Sequence, residues 1–417
     1  MTPIYIYNIK SLVGIAETNV KLLKGREMNT LNCIDNAYLI LKEGKIFDFG
    51  RMSALKNNPI EPEAGTIEID ASGKMVFPCF CDSHTHIVYA VSREEEFVDR
   101  IKGLSYQEIA AKGGGILNSA KKLEAASEDE LYQSAWRRLE EIIKTGTGAV
   151  EIKSGYGLSL ESELKMLRVI RKLKLNSPLT IKATFLGAHA VPAKYFNNRK
   201  DYIRLITDVM MPAIADEGLA EYCDVFCEEN YFTKEETIHI LNAGKNHGMK
   251  PKVHAEQLSH SGGIEAGVVC DAISVDHLEF ANDNDISLLK NSSTMPTILP
   301  GAAFFLSLPY PPARKMIDSG LPLAIATDYN PGSSPSGNMN MMLSIACIQY
   351  KMTPEEVINA ATINSAYAMD LTETHGTISR GKIANVFITK EIPSYPFLPY
   401  SFATDLIETV ILNGNKV

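Results

Sequence analysis

The tripeptide His84-Thr85-His86 ends an apolar run and has the spacing of two ligands for one metal ion. Side chains alternate across an extended chain, so two histidines two residues apart point the same way. Their ring nitrogens can therefore reach a single ion. By itself the pair is weak evidence, because a lone histidine is often only a hydrogen-bonded core or loop residue. Its interpretation depends on further ligands elsewhere in the chain.

Three more candidate ligands end apolar runs in the same way. His254 follows the run at 251–253, His277 follows 272–276, and Asp328 follows 323–327. Three histidines and a carboxylate with room left for water are typical of a catalytic metal site rather than a closed structural one. A metal held in this way lowers the pKa of bound water toward neutrality and supplies hydroxide. The sequence therefore predicts a hydrolytic metal centre.

The middle of the chain alternates short apolar runs with helical periodicity. The strand candidates are residues 75–82, 148–153, 179–186, 223–228, 251–254, 272–277, 294–299 and 322–327. Between them, Ser127-x-x-Glu130 and Thr233-x-x-Glu236 have the form of capping boxes, which begin helices. Eight β/α units predict an α/β protein with a (β/α)8 TIM barrel, whose active site lies at the C-terminal ends of the strands. The candidate ligands lie at those ends.

The two ends of the chain have a different pattern, of short alternating runs separated by turn signals. Examples are residues 37–41, 66–70 and 384–388. We expect both ends to combine into one small β-sandwich domain, residues 1–74 plus 378–417. The catalytic barrel would then span residues 75–377.

Composition excludes several classes of protein. The formal net charge of -9 argues against a nucleic-acid surface, since phosphate binding requires clustered Lys and Arg. No apolar run reaches about 18 residues, and the N-terminus lacks the pattern of a secretory signal. The seven cysteines are an odd number and fit a reducing compartment. We therefore expect a cytoplasmic protein that binds neither nucleic acid nor membrane.

The ligands at the strand ends resemble those of the amidohydrolase superfamily, metal-dependent hydrolases on a barrel with a β-sandwich made from both chain ends. Many members hold two metals bridged by a carboxylated Lys at the end of strand four, and strand four here, residues 223–229, contains no Lys. The resemblance thus implies one Zn2+ or Fe3+ per subunit. The implied ligands are His84, His86, His254 and Asp328. His277 would then lie beside the metal and position water or substrate.

Longer motifs are similar to one branch of that superfamily, which opens the cyclic amide of 4-imidazolone-5-propanoate to N-formimidoyl-L-glutamate in histidine degradation. The motifs K-S-G-Y-G-L at 153–158 and T-D-Y-N-P-G-S-S at 327–334 are the most specific. The resemblance implies this small-molecule substrate and a homodimer. The implied substrate-binding residues are Arg93, Tyr156, His189, Gln257, Asn330, Gly332 and Ser333.

Two of these groups suit an anionic substrate. The planar guanidinium of Arg93 can pair with a carboxylate through two hydrogen bonds, and the substrate carries a propionate. The backbone N–H groups and hydroxyls of residues 330–334 could form an anion cradle. No Gly-Lys-Ser/Thr motif follows, so this segment is not a nucleotide-phosphate loop.

Gln257 bears on the type of reaction. Related deaminases place a Glu three residues after the strand-five histidine to shuttle protons, whereas a Gln cannot exchange a proton at pH 7. We therefore assign Gln257 to the catalytic centre as an orienting group, with His277 or Asp328 taking the proton from water. The alternatives are another mononuclear cyclic-amide hydrolase, a heterocycle deaminase, or a catalytically inactive scaffold.

Overall fold

The computed structural model describes residues 2–16, 19–56, 64–104, 108 and 114–417. Within these residues the strands are β1 (Ile4–Val13), β2 (Cys33–Lys42), β3 (Lys45–Arg51), β4 (Ile67–Asp70), β5 (Lys74–Pro78), β6 (Phe80–Asp82), β7 (Thr147–Lys153), β8 (Thr180–Ala188), β9 (Tyr222–Cys227), β10 (Lys250–Ala255), β11 (Ser274–His277), β12 (Met295–Ile298), β13 (Ala324–Ile325), β14 (Val386–Glu391), β15 (Ile407–Leu412) and β16 (Asn415–Lys416).

The helices mostly lie between successive barrel strands. Their bounds are Glu94–Ile101, Gly115–Ala125, Glu128–Lys144, Leu160–Asn176, Arg199–Arg204, Met211–Asp216, Lys234–Asn246, Gly263–Val269, Asp283–Lys290, Pro300–Leu306, Ala313–Asp318, Met339–Gln349, Pro354–Asn359, Ser365–Tyr367 and Phe397–Tyr400. Both predicted capping boxes are present, with the hydroxyls of Ser127 and Thr233 accepting from backbone N–H groups one turn ahead. In the described part of the chain, none of the helices combines the length and apolar character needed to span a membrane.

Strands β6 to β13 form a parallel barrel in chain order. The first and eighth strands, β6 and β13, meet just beyond their C-terminal ends, where the N–H of Asp328 donates to the carbonyl of His84 at 3.0 Å. The N–H of His86 likewise donates to the carbonyl of Tyr329 at 2.9 Å. This contact closes the barrel and joins the two chain segments that carry candidate ligands. The predicted (β/α)8 barrel is confirmed.

The remaining strands form one mixed sheet from both ends of the chain, in the order β16-β15-β14-β5-β1-β2-β3, with β4 pairing with β1. Its apolar side chains form a separate small core that includes Ile6, Leu39, Ile388 and Ile411. The two ends therefore share one β-structure, because neither set of strands could bury its apolar face alone.

The run predicted as the first barrel strand, residues 75–82, is divided between the two sheets. Strand β5 pairs with β1 and β14 in the terminal sheet, and only β6 pairs with β7 in the barrel. Pro78 has no N–H to continue the first ladder. The N–H of Cys79 donates to the carbonyl of Asn385 at 3.0 Å between the sheets. One apolar run thus serves both sheets, which its periodicity did not reveal.

Candidate metal centre and substrate pocket

Four buried side chains converge at the C-terminal mouth of the barrel: His84, His86, His254 and Asp328, each at most 3% exposed. Asp328 Oδ1 lies 3.5 Å from His84 Nε2 and 3.6 Å from His86 Nε2. His86 Nε2 lies 3.4 Å from His254 Nε2. Four ligands at about 2.1 Å from one ion in tetrahedral geometry are about 3.4 Å apart. These separations therefore fit a single metal ion.

Two buried carboxylates set which ring nitrogen faces this position. His84 Nδ1 lies 2.7 Å from Asp276 Oδ2, and His254 Nδ1 lies 3.0 Å from Asp224 Oδ2. Since a carboxylate accepts the Nδ1 proton, Nε2 keeps its lone pair for a metal. His84 Nε2 is itself buried without a hydrogen-bond partner among the described residues. A bound ion would satisfy that nitrogen.

Two histidines of this cluster, His84 and His86, are held neutral, as metal ligation requires. Burial lowers the pKa of His84 and of His86 well below the ordinary value, and the charges of Lys153 and of neighbouring histidines add to the effect. Burial has the opposite effect on a carboxyl group and raises the pKa of Asp328.

His277 lies beside the same position. Its ring centroid is 5.5 Å from that of His84 and 5.3 Å from that of His254, and it can share an ion with His84 and Asp328. Burial lowers its pKa, but the carboxylates of Glu279, Asp328 and Asp276 outweigh burial and raise the pKa of His277 overall. An ionisable imidazole with a raised pKa therefore lies beside the possible metal position.

A cavity of about 370 Å³ opens above the cluster, with His86, His254, His277 and Asp328 in its wall. All the predicted substrate-binding residues line this same cavity, namely Arg93, Tyr156, His189, Gln257, Asn330, Gly332 and Ser333. Glu256, next to Gln257, turns away and accepts the N–H groups of Gly262 and Ile264 at the start of a helix. The structure thus brings together every residue that the sequence indicated for this site.

Two arginines, Arg93 and Arg100, line the cavity. The guanidinium of Arg93 donates to Ser119 Oγ at 3.0 and 2.8 Å, and Arg100 Nη2 donates to the carbonyl of Gly332 at 2.8 Å. A Cβ at position 332 would lie 2.7 Å from Arg93 Nη1, so only glycine allows this approach. Sequence reasoning missed Arg100. It could have been found from its position two turns after Arg93, because residues at that spacing lie on one face of a helix.

The predicted anion cradle at 330–334 is closed on itself. Asn330 Oδ1 accepts the N–H groups of Gly332 and Ser333 at 2.7 and 2.8 Å. Ser333 Oγ donates to Asp328 Oδ2 at 3.1 Å. Asn330 therefore organises the loop beside Asp328, and these two N–H groups are already bonded within the loop.

Tyr156 and His189 also line the cavity, and their ring centroids are 5.5 Å apart. The carboxylate of Glu163 accepts the N–H groups of Gly155, Gly157 and Leu158 at 3.1, 2.7 and 2.9 Å and so fixes the loop around Tyr156. His189 Nδ1 donates to the carbonyl of Gly155 at 3.1 Å, which leaves Nε2 as an acceptor. Burial lowers the pKa of His189 to about 3, so this ring is neutral.

Comparisons with known proteins agree with this site. A family model described as "Amidohydrolase family" matches residues 75–417. The imidazolonepropionase of Christiangramia forsetii is 57% identical over 412 residues, which cover 99% of each chain. That of Caldanaerobacter subterraneus subsp. tengcongensis is 41% identical over 413 residues, which cover 99% of this chain and 97% of the relative. The chain belongs to the imidazolonepropionase family of amidohydrolases.

Solved structures support the fold of this family member. The guanine deaminase of E. coli superimposes with a TM-score of 0.75 at 13% identity, over 100% of this chain and 99% of the other. An adenosine deaminase from Xanthomonas campestris with bound zinc gives a TM-score of 0.73 at 13% identity, over 100% and 92% of the two chains. At this identity the likeness shows the barrel fold alone.

Sequence reasoning missed several carboxylates of this imidazolonepropionase-family site: Asp224, Asp276, Glu163 and Glu279. Each is buried; Asp224 stands in the otherwise apolar strand β9, and Asp276 stands in β11 directly before His277. A charge at such a position is rare unless it is paired. A charged residue in such a strand could therefore have been recognised from the sequence as the partner of another polar group.

Proposed function

We propose that the protein hydrolyses the cyclic amide of 4-imidazolone-5-propanoate to N-formimidoyl-L-glutamate, a step of histidine degradation. The observation that carries the proposal is a single cavity lined both by arginines and by side chains of the cluster of possible metal-ligand atoms. A propionate and a ring amide lie at the two ends of this substrate. Relatives named imidazolonepropionase at 57% identity support the same reaction.

The proposal includes one Zn2+ or Fe3+ per subunit, held by His84, His86, His254 and Asp328. Three imidazoles and one carboxylate suit either ion. When bound, such an ion supplies hydroxide near neutral pH and polarises a carbonyl group.

The polar groups of the wall orient the substrate. Arg93 pairs with the propionate, whose negative charge strengthens the hydrogen bonds. His189 Nε2 accepts from a ring N–H, because Nδ1 already donates to the carbonyl of Gly155. Burial raises the pKa of Tyr156, so its phenol keeps the proton and can donate. Gln257 orients the ring amide through its side-chain amide.

We assign the proton transfer to His277 rather than to Asp328. Asp328 Oδ1 faces His84 and His86, and Oδ2 accepts from Ser333, so both of its oxygens are engaged. His277 has Glu279 behind it, with 3.7 Å between Nδ1 and Oε1. It takes a proton from the attacking water and returns one to the departing ring nitrogen, and so acts as base and then as acid.

The test is the decay of freshly generated 4-imidazolone-5-propanoate absorbance on adding the purified protein, with and without prior chelation. We expect rapid, chelator-sensitive loss and N-formimidoyl-L-glutamate as the product. A protein with one bound metal per chain that leaves this substrate unchanged would overturn the proposal. Release of ammonia from a heterocyclic amine by that same protein would identify a deaminase instead.

We further propose a cytoplasmic homodimer. The family resemblance supports the dimer, and seven free thiols support a reducing compartment. Size-exclusion chromatography with light scattering should give twice the mass of one chain, and a mass of one chain would refute the dimer.

A further inference from the structure

Below the metal position, the barrel interior holds five charged side chains that the proposed chemistry does not use. They are Glu151, Lys153, Asp224, Lys252 and Asp276, from strands β7, β9, β10 and β11, and each is completely buried. Ionised groups are almost never buried unless they are paired, because leaving water is costly. A set of this kind beneath a metal site therefore requires a physical account.

Lys153 lies between the two carboxylates that orient the histidines. Its Nζ is 2.8 Å from Asp224 Oδ2 and 3.8 Å from Asp276 Oδ2. These are the same two oxygens that contact His254 Nδ1 and His84 Nδ1. One ammonium group thus connects two ligands that belong to different parts of the chain.

We infer that Lys153 is a positioning residue for the metal centre, acting through Asp224 on His254 and through Asp276 on His84. Its ammonium holds both carboxylates in place by charge attraction, and donates a hydrogen bond to Asp224. Without the Lys153 ammonium, the carboxylates of Glu151, Asp224 and Asp276 would repel one another, and only the ammonium of Lys252 would remain to offset their charge. The contacts at Nδ1 of His84 and His254 would loosen, and the Nε2 atoms of these two histidines would no longer be held toward one metal position. This inference rests on the metal site of the proposed function.

Lys252 offers a matched control. Like Lys153, Lys252 is completely buried, and it pairs with Glu151. Its other hydrogen-bond partners are backbone carbonyls, of Ser83 at 2.8 Å and Ala368 at 3.4 Å, and its charge acts on Asp276 without a direct contact. Removing either lysine deletes the same charge from the same interior, but only Lys153 donates to a carboxylate that orients a ligand histidine.

The test measures metal binding rather than turnover. Apo forms of the wild type, Lys153→Met and Lys252→Met are titrated with Zn2+ against a chromophoric chelator, and the Co2+-loaded forms are compared by visible absorption. We expect Lys153→Met to lose roughly 10- to 100-fold in Zn2+ affinity, the usual range for groups that orient metal ligands. Its Co2+ bands should shift, while Lys252→Met stays within a few-fold of wild type with unchanged bands.

Three results would overturn the inference. These are wild-type Zn2+ affinity and Co2+ bands in Lys153→Met, an equal loss in Lys252→Met, or a wild-type protein that binds no metal. The last would also remove the proposed function, whereas the first two leave it standing if the wild type turns over its substrate. Circular dichroism checks folding. If Lys153→Met does not fold, Lys153→Gln, which keeps an N–H donor without the charge, is judged by the same results.

Discussion

At the residue scale, the site depends on two positions where the backbone leaves the extended conformation. His277 has φ +90° and Asp328 has φ +54°. Regular alternation in β11 would place His277 on the same side as Val275, which packs against the helix that contains Gly267. The positive φ turns the imidazole toward the ligands instead. Such backbone strain costs about 1–3 kcal/mol and persists where the surroundings hold it, often at functional sites.

Replacing His277 tests its role in proton transfer. We expect His277→Phe to lower kcat by roughly 10²- to 10⁴-fold, the usual contribution of a general acid–base group. Metal content should stay near that of the wild type, because the ligand atoms of His84, His86, His254 and Asp328 are unchanged. Steady-state kinetics and metal analysis measure the two effects. His239→Phe, on an exposed helix position, is the control, and loss of metal from His277→Phe would show that His277 is itself a ligand.

Replacing Gly332 tests the proposed binding of the propionate by Arg93. Gly332→Ala places a Cβ about where it would meet Arg93 Nη1 at 2.7 Å, so the guanidinium has to move. A hydrogen bond to a charged group contributes roughly 1.5–3 kcal/mol, so KM should rise about 10- to 100-fold with a smaller change in kcat. Metal content should not change. An unaltered KM would mean that Arg93 does not bind the propionate.

At the element scale, the connections between strands and helices carry the specificity of the site. The helix Glu94–Ile101 begins at Arg93 and presents Arg100 two turns later to the loop that contains Gly332. The first turn of Leu160–Asn176 supplies Glu163, which holds the loop before it. Both helices fix substrate-side residues on rigid supports, as a pre-organised site requires. The division of the chain at residues 74 and 378 stays a prediction.

His375 ties the segment after the last barrel helix to β8, and it gives a pH test of that connection. Its Nε2 lies 2.9 Å from Thr180 Oγ1, and burial lowers the pKa of His375 from 6.5 to about 4. Between these pH values the unfolded chain binds a proton that the folded chain does not, so stability falls as pH drops below 6.5. From pH 7 to pH 5 this amounts to about 2 kcal/mol.

The comparison is between wild type and His375→Gln, in which the titrating group is absent. Urea unfolding at pH 7 and at pH 5 gives the loss of unfolding free energy for each protein. The variant should lose about 2 kcal/mol less than the wild type over this interval. Equal losses would mean that His375 is protonated in the folded state at pH 5.

At the scale of the whole molecule, the terminal sheet and the barrel are joined through the run that leads to the metal ligands. Strand β5 pairs with β14 in the terminal sheet and is followed by β6, which precedes His84 and His86. The ring of Phe387 lies 5.1 Å from those of Phe77 and Phe80, on the two sides of the junction. Packing of the chain ends therefore supports the strand that positions two ligands.

Removing the metal should destabilise the whole fold. A ligand present at about 1,000 times its Kd stabilises the native state by about 4 kcal/mol, and each kcal/mol shifts the Tm of a long chain by about 2 °C. Chelation should therefore lower Tm by several degrees in differential scanning fluorimetry. Adding Zn2+ should restore it, and Mg2+, which prefers oxygen ligands, should not. An identical Tm with and without chelator would argue against a metal bound by this cluster.

Local patterns in the sequence predicted the barrel and the candidate ligands at its strand ends, whereas the substrate-side residues were predicted from the family resemblance. Apolar runs, capping boxes and alternation act over a few residues, so eight strands and the ligands at their ends could be predicted from them. The structure brings His84, His254 and Asp328 together because parallel strands of a closed barrel end on one face.

Only the tertiary structure decided which charges lie beneath the metal position and which groups are already bonded. Lys153 contacts Asp224 and Asp276 across the barrel. Asn330 accepts hydrogen bonds from loop N–H groups that the sequence analysis had predicted to bind an anion. The run at 75–82 was divided because its first half pairs with strands from the two chain ends and its second half pairs with the barrel strand β7. Such contacts depend on residues far apart in sequence, so they are fixed only when the barrel closes and excludes water.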